Sequence, residues 1–139
     1  MTGVKTEDRQ ATHPLQHDEV LRAASDLRRA VLPNDLLRQL RGPFALRQIT
    51  VATACGTSDR AVRLWEHGGS MRTRHADQLV NLVDTVLILS DTLIPNGFDQ
   101  WLWTKNRSLD GLRPVNALAD GNEVDVKRAA HAFVRGDLV

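Results

Sequence analysis

Tyrosine is absent from this 139-residue chain, and aromatic residues make up only 4% of it, three of them phenylalanine and three tryptophan. A single cysteine, Cys55, excludes an internal disulfide framework and fits a reducing compartment. No stretch is long and uncharged enough to span a bilayer, and the opening residues MTGVKTEDRQ lack the apolar core of a signal peptide. A cytoplasmic protein is expected. Chemistry is equally scarce. His13, His17, His67, His75 and His131 are scattered without metal-ligand spacing, and the aspartates are dispersed rather than paired. There is no G-x-S-x-G, no phosphate loop and no dinucleotide fingerprint. These absences speak against an enzyme and against a metal or organic cofactor.

What is present is a charge asymmetry hidden by a net charge of +1. Residues 35–75 carry seven arginines against Asp35, Asp59 and Glu66, a net +4; residues 76–139 carry a net −3, and residues 1–34 balance. Two surfaces for two different partners follow. Arginine greatly outnumbers lysine, which suits planar phosphate recognition.

The basic segment contains Gln48 to Gly68, QITVATACGTSDRAVRLWEHG. Its spacing predicts two short helices around Gly56, a residue suited to the left-handed conformation that ends a helix. Ala52 is small enough for a close helix crossing, Ser58 is an N-cap for the second helix, and Val51, Cys55, Val62 and Trp65 supply the contact. That is a helix-turn-helix. With Val62 and Trp65 inward, Arg60, Arg63 and His67 fall on the outer face, the surface that enters a major groove in DNA-binding examples. Gln48, Thr57 and Ser58 are the expected phosphate contacts, and Arg72 and Arg74 stand beside the groove. Paired helices with a glycine turn also occur as plain packing units.

Elsewhere, residues 1–16 are polar and aperiodic, which predicts a tail. Val20, Ala24, Leu27 and Val31 form one stripe of a helix from Asp18 that ends before Pro33. Asn34 or Asp35 is expected to cap DLLRQLRG, which Gly42-Pro43 stops. The apolar run Ala76 to Ile94 covers more than one helix face and needs two contact surfaces. Pro95-Asn96-Gly97 breaks it. The chain thus divides into 1–33, a polar tail and amphipathic helix; 34–94, the DNA-binding domain; and 95–139. In the last segment Phe98, Trp101 and Leu102 lie at helical spacing, Pro114 opens a short helix, and Val124, Ala129 or Ala130, Phe133 and Val134 suggest a final helix ending at Gly136. Its aromatics serve either as core or as a partner surface.

Within that segment Trp101-Leu102, Asn106, Leu109, Gly111 and Pro114, followed by Gly121, Val124 and Gly136, match the pattern W-L-x3-N-x2-L-x-G-x2-P without gaps. The pattern resembles the toxin-binding domain of the Xre/MbcA/ParS antitoxins of type II toxin-antitoxin systems. The helix-turn-helix resembles the Xre domain fused to it. The resemblance implies an all-α antitoxin that neutralises a cognate toxin, commonly a RES-domain enzyme that degrades NAD, and represses its own operon by binding double-stranded operator DNA. It implies a homodimer or a larger hetero-oligomer with the toxin, contacts through Trp101, Trp103, Asn106, Leu109, Pro114 and Phe133, and a C-terminal plug of the toxin's active site formed by Arg135, Gly136, Asp137, Leu138 and Val139. The alternative is a stand-alone helix-turn-helix transcriptional repressor whose C-terminal segment only dimerises.

Overall fold

The computed structural model describes residues 5–137, with side chains described for residues 17–137. Eight α-helices and no strand occur among them. The first, α1 (Lys5–Arg29), reaches well before Asp18, so the polar stretch expected as a tail is helical from Lys5. Polar side chains there do not oppose a helix, and Pro14 removes one N–H donor without ending it. Val20, Ala23, Ala24 and Leu27 are its buried stripe. Val31, expected on that stripe, lies past the helix end and is 81% exposed.

Pro33 opens α2 (Pro33–Arg41) instead of merely following α1, because a residue at the first helical position needs no N–H donor. Asn34 and Asp35 are therefore inside the first turn. The capping position falls on Leu32, with no side-chain cap, and Asp35 pairs with Arg38 at 2.7 Å. Leu36, Leu37 and Leu40 are buried, and Gly42 caps the end.

Next come α3 (Gln48–Ala54) and α4 (Asp59–Glu66). Gly56, at φ +68°, ends α3 as a left-handed residue: its N–H donates to Thr53 O at 3.0 Å, and that of Thr57 to Ala52 O at 2.9 Å. Ser58 caps α4 by accepting from Ala61 N–H at 3.2 Å. Val51, Ala52, Cys55, Val62 and Trp65 are all buried between the helices and the rest of the core. Burial pushes the Cys55 thiol up to about 12, so it packs as a neutral hydrophobe.

The long helix α5 (Thr73–Leu89) stops earlier than the apolar run suggests, because Ser90 caps it and two turns carry Leu93 and Ile94 away. Its two contact surfaces are α1, α2 and α3 on one side and α8 (Glu123–Arg135) on the other. Between α5 and α8 lie α6 (Gly97–Trp103), a 3-10 turn at Arg107–Leu109, and α7 (Pro114–Ala119), which Pro114 opens. One hydrophobic core runs through every helix, across Pro95 without interruption. Phe44, before α3, meets Phe98 of α6 edge to face at 5.2 Å.

The final helix ends at Gly136 as its spacing suggests, with only part of its apolar set turned inward. Val126, Ala129, Ala130 and Ala132 are inward, while Val124 and Phe133 are exposed. Close packing of α8 on α5 selects small side chains, which overrides the larger hydrophobicity of valine and phenylalanine. Among the described residues no helix is long and apolar enough to cross a membrane.

Candidate functional site

Two surfaces emerge, joined by one polar cluster. On the first, Arg60, Arg63 and His67 are exposed on the outer side of α4. A chain of hydrogen bonds orders Arg63 and His67. Arg41 Nε donates to Glu66 at 2.7 Å while its second nitrogen reaches the Leu46 carbonyl at 2.8 Å. Glu66 also accepts from Gln48 Nε2 at 3.3 Å, and Gln48 Oε1 accepts from Arg63 at 3.3 Å. Gln48, itself half-buried, therefore links Arg63 to the Arg41–Glu66 pair. His67 donates from Nδ1 to the Arg63 carbonyl at 2.8 Å, which leaves Nε2 outward. Thr57 is half-buried, and the Ser58 hydroxyl is engaged as the cap. Arg72 and Arg74 are exposed where α5 begins. His75, against Trp65 at 5.4 Å, has its pKa lowered by burial and by the charges of Arg74 and Arg72.

One exposed residue of this face is not legible as exposed from its type. Leu64, on the turn between Arg60 and His67, is 57% exposed. An apolar residue in a helix reads as core by default, and only the phase set by Val62 and Trp65 places it outside.

The second surface lies on α6 and α8. Of the residues expected there, Trp101, Leu109 and Pro114 are buried in the chain's own core, and Trp101 also lines the grooves beside Phe133. Phe133 is 38% exposed and lies 6.2 Å from Trp101. This pair separates two shallow grooves of about 250 Å³ each, one with Leu93, Gly97 and Gln100, the other with Lys105, Asn106 and Arg107. Asn106 is engaged in the 3-10 turn, its side chain accepting from Ser108 N–H at 2.8 Å. Gly136 ends α8 at φ +81°, and Arg135 pairs with Asp137 at 2.8 Å. Leu138 and Val139 lie outside the described residues.

Between the surfaces stands Asp99, 13% exposed at its side chain. The N-terminus of α3 has no cap from its own side chain. Asp99 supplies one from α6, accepting from Arg47 N–H at 3.1 Å and from Arg47 Nε at 2.7 Å. It also accepts from the Thr50 hydroxyl, which in turn accepts from Trp103 Nε1 at 2.8 Å. The Arg47 guanidinium lies 5.6 Å from the Trp103 ring centre. Trp103, expected to face a partner, is thus half-buried and tied to the first helix of the basic unit. No local pattern announces this cluster, whose members are 49–53 residues apart.

Among the described residues no group of three His, Cys, Asp or Glu side chains is placed to hold a metal ion. A cavity of about 330 Å³ is lined by Asn34, Arg38, Arg41, Gly42 and Glu66. Its charges are matched within it or beside it, since Arg38 faces Asp35 and Arg41 faces Glu66.

Comparison with known proteins places this geometry in context. The family model for the Rv2175c C-terminal domain of unknown function matches residues 80–134. A chain in the crystal structure of the Mycobacterium tuberculosis MbcT-MbcA toxin-antitoxin complex has the same fold, with a TM-score of 0.66 over 79% of this chain and 100% of that one, at 21% identity. The probable mycobacterial cidal antitoxin Rv3188 of M. tuberculosis is 46% identical over 116 residues, covering 84% of this chain and 99% of the relative. On that identity and coverage, the chain belongs to the Xre/MbcA/ParS antitoxin family.

Proposed function

We propose that this chain is an antitoxin, a binding protein without catalysis of its own that neutralises a cognate toxin and represses its own operon. The observation that carries the reading is the 46% identity to a probable mycobacterial cidal antitoxin along nearly that protein's whole length. The toxin expected from the family resemblance is a RES-domain enzyme that degrades NAD. The acidic C-terminal segment supports a cationic partner, and the Asp137 carboxylate suits a phosphate-binding cleft. The toxin-facing surface comprises Phe133 and its two grooves, with residues 135–139 as the plug.

The decisive experiment is purification of the full chain from its host in high salt, where DNA contacts are lost, followed by mass spectrometry. A stoichiometric partner from the adjacent reading frame, toxic when expressed alone, supports the antitoxin reading. If the chain emerges only with itself, the stand-alone repressor takes its place. Truncation after Arg135 is expected to abolish neutralisation while operator binding persists. A truncated chain that still protects cells from the toxin removes the plug from the account.

Operator binding is assigned to the outer face of α4. The surrounding arginines and the net +4 of residues 35–75 support it. Arg63→Ala should weaken operator affinity by about tenfold or more, the loss expected for one good base contact, while toxin capture is retained. Unchanged affinity in a gel-shift titration rules Arg63 out as a reader.

A further inference from the structure

Leu64 is an apolar side chain set in a cationic face. Arg60 lies one turn before it, Arg63 beside it and His67 almost one turn after, all exposed. The two acidic residues of α4 do not compete for this centre: Asp59 is at the helix start, and Glu66 is held by Arg41 and Gln48. Nothing in the following turn covers the leucine. Gly69 donates its N–H to the Leu64 carbonyl at 2.8 Å, and a Cβ on Gly69 would stand 2.8 Å from that same oxygen. The chain therefore reverses tightly beneath α4 with no side chain at the point of closest approach.

An exposed leucine flanked by two arginines fits a polyanion that carries an apolar feature. Duplex DNA has one in its major groove, the 5-methyl group of thymine. A leucine cannot hydrogen-bond to a base edge, so of the four base pairs only those with thymine give it a favourable contact in that groove. We infer that Leu64 reads a thymine methyl in the operator, flanked by Arg60 and Arg63 on neighbouring base edges or phosphates. This rests on the DNA-binding reading of α4 proposed above. It adds to it a specificity determinant and a base.

The test begins with selection of duplexes from a random pool by the full chain, and by full-length Leu64→Ala. The substitution is at an exposed helical position, and alanine favours helix, so circular dichroism of the variant should match the parent. Each thymine of the selected site is then replaced by deoxyuridine, which lacks only the methyl. At one thymine of a site, or of each half-site, the replacement is expected to weaken parent binding by about fourfold, the value of one buried methyl, and to leave Leu64→Ala unchanged. A selected site at which uracil has no effect, or weakens both proteins equally, overturns the role of Leu64 while DNA binding stands. Failure of the chain to enrich or retain any duplex in low salt overturns the DNA reading itself, and this inference with it. If Leu64→Ala keeps its operator with unaltered base preference but loses a protein partner, the leucine belongs to a protein interface instead.

Discussion

Trp101→Ala is expected to destabilise the fold by about 3–5 kcal/mol, as truncation of a large buried aromatic does. The side chain is 9% exposed, in a core that continues through Phe98, Leu102 and Val126. A typical domain has about 5–15 kcal/mol to lose. The melting temperature should fall by roughly 10–20 °C. The consequence bears directly on the proposed toxin-facing surface: loss of partner binding in this variant follows from loss of the fold. Phe133→Ala separates the two effects. With 38% exposure, Phe133 should cost only about 1 kcal/mol, so a lost partner there reports a contact. If Trp101→Ala melts with the parent and still fails to bind toxin, the tryptophan acts on the surface and its burial is not what makes it necessary.

Asp99→Ala should cost about 2–4 kcal/mol, through two routes that act together. The substitution removes the cap of α3, typically about 1 kcal/mol. It also leaves the Thr50 hydroxyl, buried at 0% exposure, without its acceptor, a penalty of about 1–3 kcal/mol. The ion pair with Arg47 adds little, because that guanidinium is 61% exposed and screened by solvent. Asp99→Asn retains a carbonyl oxygen for the Arg47 N–H and should fall between parent and alanine in urea unfolding. Because Asp99 joins α6 to α3, both the operator and the toxin functions should weaken in the alanine variant. Equal urea midpoints for all three proteins would show that the interhelical cap contributes nothing.

Several elements follow from residues within one turn of each other. Gly56 and Ser58 define the end of α3 and the start of α4, since a left-handed residue and a hydroxyl acceptor each act on backbone two to five positions away. The same locality made Pro114 and Gly136 reliable limits for α7 and α8. Pro33 was ambiguous for a physical reason: a proline follows one helix or opens another equally well, and here it opens α2. The end of α5 falls short of the apolar run because Leu93 packs on the core from outside the helix, which periodicity does not distinguish.

The candidate surfaces divide along the same line. The phase of α4, set by Val62 and Trp65, placed Arg60, Arg63 and His67 outside, and the charge segregation marked that segment as the basic one. The W-L-x3-N-x2-L-x-G-x2-P pattern identified the family without any coordinate. By itself, then, the sequence determined the all-helical class, the glycine turn, the cationic face and the kinship. Tertiary structure alone decided that Trp101, Leu109 and Pro114 serve the core, that α8 turns alanines inward, and that Asp99 caps a helix 52 residues away from it in sequence. The division follows from range: capping and charge act within a few residues, whereas burial and interhelical hydrogen bonds depend on which distant segments the packed core brings together.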